Sequence, residues 1–211
     1  MVGSEGDSAT QWQDWLEDED ADQALAIYAA SLQPSVNAAP PLNTVSDCVS
    51  LLWRLNVYGH PVAKHNWDDV AEYSMRVFPQ TALAFANVHL ALLEAAMGQQ
   101  AALAERITAL DQRMMSGQQP AGSVVADICR AAGAFAEGDY ARCVQILEPA
   151  SGEVTRIGGS HAQREVIEDS LLIALMKCGE VAKASALLDQ RLHRRVVPRD
   201  VLWRASLKNF A

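Results

Sequence analysis

The segment AFAEGDYARCVQIL, residues 134 to 147, contains the pattern that decides the fold. Its glycine, Gly138, separates two apolar stretches, and three other glycines stand in the same position between similar stretches. The four glycines, spaced by 39, 40 and 41 residues, are Gly59, Gly98, Gly138 and Gly179. A fixed period of this size is typical of an α-solenoid, in which helix pairs stack because none can bury its apolar face alone.

Both sides of each glycine show helical periodicity. The positions ten, seven, six and three residues before each glycine have the spacing of one helix face, and fourteen of these sixteen residues are apolar. The two exceptions are Asn56 and Asp169. Positions five and nine after the last three glycines are also apolar, which predicts a second helix in each unit. Gly59 is followed by His60 and Pro61, which predicts a longer connection in the first unit.

The pattern predicts an all-α protein, an α-α superhelix of antiparallel helix pairs. Prolines stand between the predicted units, where a helix cannot continue. We expect an acidic N-terminal segment with a short partial helix over residues 1–19 and a helical repeat domain over residues 20–211. The expected units lie near residues 20–33, 44–78, 83–116, 121–150 and 160–195, and a capping helix is expected over 199–210.

The net charge of −9 over 211 residues is unevenly distributed. Nine acidic residues and no basic residue precede Arg54, whereas the chain after residue 180 is predominantly basic. The overall acidity argues against nucleic-acid binding, which requires clustered Lys and Arg. Attraction between the acidic and basic ends of different copies predicts a head-to-tail homo-oligomer.

The sequence also predicts a cytoplasmic location. The first seven residues have neither the basic residue nor the apolar stretch of a secretory signal. The longest uncharged apolar stretch, residues 77–93, contains Pro79, Gln80, Asn87 and His89, so we expect no membrane span. The four cysteines are scattered without a C-x-x-C pair and each falls in a predicted helix, which is typical of reduced thiols in a core.

The segment around Gly138 resembles the tetratricopeptide turn. A glycine and an acidic residue are followed by Tyr140, and the second helix then has a small residue, Cys143, and a large apolar one, Leu147. A wider resemblance, over about residues 20 to 207, is to the C-terminal part of the tetratricopeptide repeat protein 38 family. The motifs that carry it are ALAIY (24–28), SLLWRL (50–55), FANVHLAL (85–92), GDYARCV (138–144) and RIGGSHAQREV (156–166). This resemblance implies a degenerate tetratricopeptide solenoid in the cytoplasm with no established chemistry.

A solenoid of this kind suggests a scaffold that binds an unidentified protein or peptide in its concave groove. First helices line that groove, and an aromatic residue beside an arginine is a frequent interface pair. We therefore expect Trp53, an exposed Arg54, and His89 to contact the partner. Packing is the stronger explanation of Trp53, because it shares the register of core residues. A histidine between apolar neighbours, such as His89, is more often a hydrogen-bonded core residue than a catalyst.

The RIGGSHAQREV segment has two interpretations. Ser160 followed by Gln163 is a capping box at a helix start. Alternatively, the paired glycines and a free helix N-terminus could receive an anion, with Arg156, His161 and Arg164 as ligands. The alternative function is therefore a small-ligand-binding protein or an enzyme that uses this segment, with His161 as acid or base.

No nucleophile with an adjacent base and no phosphate-binding glycine motif occurs in the sequence, so we expect no enzymatic activity and no cofactor. His60 and His65 flank a proline turn. They lack further ligands at an informative spacing, and structural zinc normally needs four. We therefore expect no metal.

Overall fold

The computed structural model describes residues 21–80 and 82–207, and within these ranges the chain forms α-helices and no β-strand. The all-α prediction is confirmed. The expected acidic segment and partial helix over residues 1–19 lie outside the described residues, as do the last residues of the expected capping helix.

Ten α-helices follow one another in the described residues. The first of them, α1, continues as a short π-helix over Tyr28–Leu32, and a 3-10 helix, Ser151–Ile157, follows α7. The helices are α1 (Ala21–Ile27), α2 (Pro41–Val57), α3 (Lys64–Val77), α4 (Ala84–Ala96), α5 (Gln100–Met115), α6 (Val124–Ala136), α7 (Tyr140–Ala150), α8 (His161–Lys177), α9 (Val181–Arg194) and α10 (Pro198–Leu207).

The four glycines form the same turn in four antiparallel helix pairs, as predicted. Each has a positive φ between 68° and 91°, and the amide of the following residue donates to the carbonyl five residues earlier. These hydrogen bonds are His60–Leu55, Gln99–Glu94, Asp139–Ala134 and Glu180–Leu175. The longer first connection is confirmed, because α3 begins five residues after Gly59 and the other second helices begin two residues after their glycines.

The predicted superhelical arrangement of the pairs is not confirmed. The first helices of the pairs, α2, α4, α6 and α8, pack each against the next, and α2 also packs against α8. The four helices therefore close into a ring, with the second helices around it. An open superhelix of four pairs would keep its first and last pairs apart and leave a concave groove between them.

The middle of the ring is filled by side chains. The rings of Trp53 from α2 and Phe135 from α6 lie 5.6 Å apart between centroids. Small buried side chains on α4 and α6, among them Ala91, Ala95 and Ala131, allow the helices to approach closely. A filled centre means that the first helices have no open inner face in this structure.

Between the third and fourth pairs, the chain leaves the helical pattern. Pro149 lies near the end of α7, and the chain continues as the 3-10 helix, which packs against α6, α7 and α8. Because the 3-10 helix turns away from the continuation of α7, it borders a depression over α8 and α9. None of the described helices is both long and apolar enough to cross a membrane.

Candidate functional site

The three residues expected to face a partner in the concave groove are buried. Trp53 is 2% exposed, Arg54 3% and His89 1%, so the expectation that Arg54 is exposed is wrong. Trp53 and Arg54 contact α8, because closure of the ring brings α8 onto the face that an open superhelix would leave free. His89 contacts Ser50 on α2. A role for these residues in partner binding stays a prediction, with no accessible surface to support it.

His89 is the hydrogen-bonded core residue that the sequence suggested. Its Nδ1 lies 2.8 Å from the carbonyl oxygen of Phe85, and its Nε2 lies 3.2 Å from Oγ of Ser50 on α2. Since a carbonyl only accepts, Nδ1 carries the proton and Nε2 accepts from the serine hydroxyl. Burial lowers the pKa of His89 to about 4, although the hydrogen bond to Phe85 opposes the shift, so the ring is neutral near pH 7.

A buried network of charges joins α2 to α8. Arg54 Nε donates to Oδ2 of Asp169 at 2.7 Å, and Trp53 Nε1 donates to Oγ of Ser170 at 2.9 Å. Arg191 from α9 contacts Asp169 at 2.9 Å and Asp200 at 2.7 Å. Arg199 from α10 contacts Asp200 at 2.9 Å and lies 3.9 Å from Asp169. Three guanidinium groups thus share two carboxylates in the interior.

Asp169 is the centre of this network. Burial by itself would raise the pKa of its carboxyl, but Arg191, Arg54 and Arg199 outweigh burial and hold the pKa below its usual range. On the other side of the network, the guanidinium of Arg199 lies 4.3 Å from the ring centroid of Tyr58. The sequence did give one signal of this site, since Asp169 is a charged residue in an otherwise apolar helix face.

The capping-box interpretation of RIGGSHAQREV is confirmed. Ser160 Oγ accepts from the amide of Gln163 at 3.2 Å, and Oε1 of Gln163 accepts from the amide of Ser160 at 2.8 Å. Arg164 donates to the carbonyl oxygens of Gly158 and Gly159. Arg156 donates to Glu153 and to the carbonyl oxygen of Pro120. The two arginines therefore serve the local fold rather than converging on one anion.

Gly159 has a tertiary role that the sequence did not reveal. Its φ is +77°, and a Cβ atom here would lie 2.9 Å from Cδ2 of Phe85 and closer still to Cε2. Phe85 in turn packs its ring on His89, with centroids 4.3 Å apart. The close approach of Gly159 seats the start of α8 against the start of α4, next to the α2–α8 contact.

An open cleft lies on the outside of the third and fourth pairs. This cleft, called here the outer cleft, has a volume of about 380 Å³ between α7, the 3-10 helix, α8 and α9. Its floor is apolar and consists of Leu147, Ile167 and Leu171, all of them largely buried. Around the rim stand His161, Arg164, Glu165, Glu168, Gln190 and Arg194.

A second cleft of about 440 Å³ adjoins the outer cleft and shares His161, Glu165 and Arg194 with it. Its other lining residues include Arg191, Arg195 and Asp200. Of the six predicted site residues, the structure thus brings His161 and Arg164 to the outer cleft. Arg156 lies outside both sets of lining residues, and the remaining three lie in the core.

Most of the basic side chains after residue 180 are paired within the chain. Arg194 contacts Glu168 at 2.6 Å, Lys183 contacts Glu148 at 2.8 Å, and Arg204 contacts Asp189 at 2.7 Å. Arg191 and Arg199 are buried in the network around Asp169. The excess positive charge that the sequence suggested for this end is therefore largely compensated by acidic residues from earlier in the chain.

All four cysteines are free thiols; Cys48, Cys129 and Cys143 are buried, but Cys178 is exposed just after α8, so its expected core position is wrong. In residues 21–80 and 82–207, no three or more His, Cys, Asp or Glu side chains are grouped so that they could hold a metal ion.

Comparison with models of known protein families found none that matches this chain. Comparison with solved structures likewise found no match. Membership of the tetratricopeptide repeat protein 38 family therefore stays a prediction that rests on the five sequence motifs.

Proposed function

We propose that this protein is an interaction module that binds a peptide segment of another protein in the outer cleft. The observation that carries the proposal is the combination of an apolar floor with a charged rim in a groove open to solvent. Apolar pockets bordered by a few polar groups are the usual form of binding sites. The proposed partner site therefore lies on the outside of the last two pairs and not in the concave groove expected from the sequence.

The chemistry of the cleft indicates which peptide would fit. Leu147, Ile167 and Leu171 can accommodate one large apolar side chain. Arg164 and Arg194 on the rim can each donate further hydrogen bonds, because a guanidinium has five N–H donors. We therefore expect a segment in which a large apolar residue is flanked by carboxylates.

The open form of the cleft favours binding over chemistry. His161 and Glu165 line the same cleft, but they stand on its solvent-exposed rim rather than in an enclosed pocket. Arg156, Ser160 and Gln163 are engaged in local contacts and do not converge with Arg164 on one site, so the small-ligand or enzymatic alternative gains no support from them. The lack of enzymatic activity stays a prediction.

We also propose a cytoplasmic location. The four free cysteines support it, because disulfides persist mainly in oxidising compartments.

Site-specific photo-crosslinking tests the proposed function. A photoreactive phenylalanine analogue at Gln190, on the rim, is expected to give a discrete protein adduct in cells, whereas the same residue at the exposed Met75 on α3 is not. Thr155→Trp, which fills the cleft mouth, is expected to remove the adduct, and Lys177→Trp at an exposed site outside the cleft is the matched control. Equal adducts from Gln190 and Met75, or an adduct no larger than a small molecule, would contradict the proposal.

A further inference from the structure

Large apolar side chains are exposed where α9 passes into α10. Val196 is 76% exposed, Val201 44% and Leu202 58%, and these three residues are called here the C-terminal patch. The opposite side of α10 is occupied, since Asp200 and Leu207 are buried. Exposed apolar residues grouped in so short a stretch are typical of a surface that binds another segment of protein.

The patch has a basic border. Arg194 and Arg195 immediately precede Val196, and their side chains are 43% and 47% exposed. Their contacts to Glu168 and Glu165 leave about half of each arginine side chain open to water, where a new acidic partner can bind as well. An occupant of this surface would combine apolar side chains with negative charge.

We propose that residues 12–20 of the same chain, WQDWLEDED, dock on the C-terminal patch. Trp12, Trp15 and Leu16 have the i, i+3, i+4 spacing of one helix face, which suits an apolar surface. The charged residues of the segment are all acidic: Asp14, Glu17, Asp18, Glu19 and Asp20. The segment thus matches both the apolar patch and its basic border.

The fold places the end of α1 close to the part of the molecule that carries α10. The Tyr28 hydroxyl donates to the carbonyl oxygen of Asn66 at 3.2 Å, so the end of α1 lies beside the start of α3. Tyr58, just after α2 and close before α3 in the chain, packs its ring 5.4 Å from that of Trp203 on α10. Elements α1 and α10 are therefore both attached near the α2–α3 connection.

The chain length allows docking within one molecule. Leu16 precedes Ala21 by five residues, which span up to about 17 Å when extended, and Trp12 precedes it by nine, which span up to about 30 Å. A tether of so few residues gives an effective concentration of about 1 mM. A second copy at micromolar concentration competes poorly with such a tethered segment, so the occupant is the chain's own segment rather than that of a neighbour. The proposal does not depend on the function of the outer cleft.

Disulfide trapping tests this docking in the full chain. In a Cys178→Ser background, which removes the exposed thiol, Leu16→Cys is combined with Leu202→Cys in the patch. The matched control combines Leu16→Cys with Met115→Cys, because Met115 is 75% exposed at the end of α5. Both variants are oxidised with glutathione at low protein concentration. The Leu16–Leu202 cysteine pair is expected to form an intramolecular disulfide at least about tenfold faster than the control pair.

Two double variants test the charged and the apolar contributions to docking separately. Arg194→Glu with Arg195→Glu, and separately Trp12→Ala with Trp15→Ala, are each expected to reduce the trapping rate toward that of the control pair. Salt at 1 M is expected to slow trapping, because it shortens the screening length to about 3 Å. Equal rates for the two cysteine pairs would overturn the proposal. Trapping that gives covalent dimers instead of monomers would assign the segment to a second copy and overturn it too.

Discussion

The α4–α6 junction and the α2–α8 junction hold the same ring together with different chemistry. Buried residues of α4 and α6, such as Val88, Ala91 and Ala131, are small and apolar and follow the repeat register. The α2–α8 junction instead uses Trp53 and Arg54 against Ser170 and Asp169. Stacking of neighbouring pairs therefore follows from periodic apolar residues, whereas the α2–α8 contact that closes the ring also uses charged and hydroxyl side chains, of which Asp169 interrupts the period.

The largest expected effect is the loss of the carboxylate at the closing junction. Asp169→Ala leaves the buried guanidinium groups of Arg54 and Arg191 without their shared partner, and breaking such a network typically costs about 3 to 5 kcal/mol. Urea unfolding monitored by circular dichroism measures this loss. The control is Asp111→Ala, which removes a partly exposed ion pair with Arg130 and is expected to cost about 0 to 1 kcal/mol. Similar losses in both variants would mean that the closing junction has no special importance.

The second expected effect concerns the contact of the α8 start with α4. Gly159→Ala adds a methyl group against the Phe85 ring at a positive φ, and overpacking together with strain predicts a loss of about 2 to 4 kcal/mol. Gly138→Ala is the matched control, because its φ is also +77° and no atom lies within 4 Å of the added Cβ. Its expected loss in the same urea unfolding measurement is about 1 kcal/mol. Equal losses would show that Phe85 does not constrain this position.

The third prediction concerns pH and the α2–α4 contact. The folded-state pKa of His89, about 4, lies below the ordinary value of 6.5, so protons bind the unfolded chain more readily. The stabilisation of the folded state by the neutral His89 ring is complete above about pH 6.5 and is lost as the pH falls toward 4. Between pH 7 and 4.5 we expect His89 to reduce the free energy of unfolding by about 2 to 3 kcal/mol.

Asp47 opposes this trend and must be removed to measure it. Burial raises the pKa of its carboxyl to about 6, although hydrogen bonds from Ser46 and Gln163 oppose the shift, so the folded state gains relative stability as the pH falls below 6. The comparison is therefore between Asp47→Asn and Asp47→Asn with His89→Gln, each unfolded with urea at both pH values. A pH dependence that is the same in the two variants would exclude His89 as its source.

The smallest expected effect is the loss of a helix N-cap. It is expected to be the same at α8, which belongs to the closing α2–α8 junction, and at α7, which does not. Ser160→Ala removes the side-chain acceptor at the start of α8, and Asp139→Ala removes the corresponding acceptor at the start of α7. Each is expected to lower the thermal unfolding midpoint by an amount equivalent to about 1 kcal/mol, since both are N-caps. A much larger loss for Ser160→Ala would indicate that the cap also supports ring closure.

Most of the local structure could be predicted from the sequence. Gly98 and Gly179 mark turns because a positive φ suits glycine, and Ser160 with Gln163 marks a helix start through its own hydrogen bonds. Each depends on atoms only a few residues apart. The site residues were predicted less well. His161 and Arg164 lie at the outer cleft, but Arg54 was expected at the surface because helical periodicity reports which face is polar and not what meets it.

The sequence by itself determined the helix pairs, their turns and their periodic apolar faces, because these depend on residue types at short, fixed separations. Only the tertiary structure decided that α2 meets α8, since Arg54 and Asp169 are separated by 115 residues and many arrangements of the same pairs would bury the same apolar faces. The ring closes where those charges compensate one another. That closure fills the expected groove, so the two binding surfaces proposed above, the outer cleft and the C-terminal patch, both lie on the outside of the helix pairs.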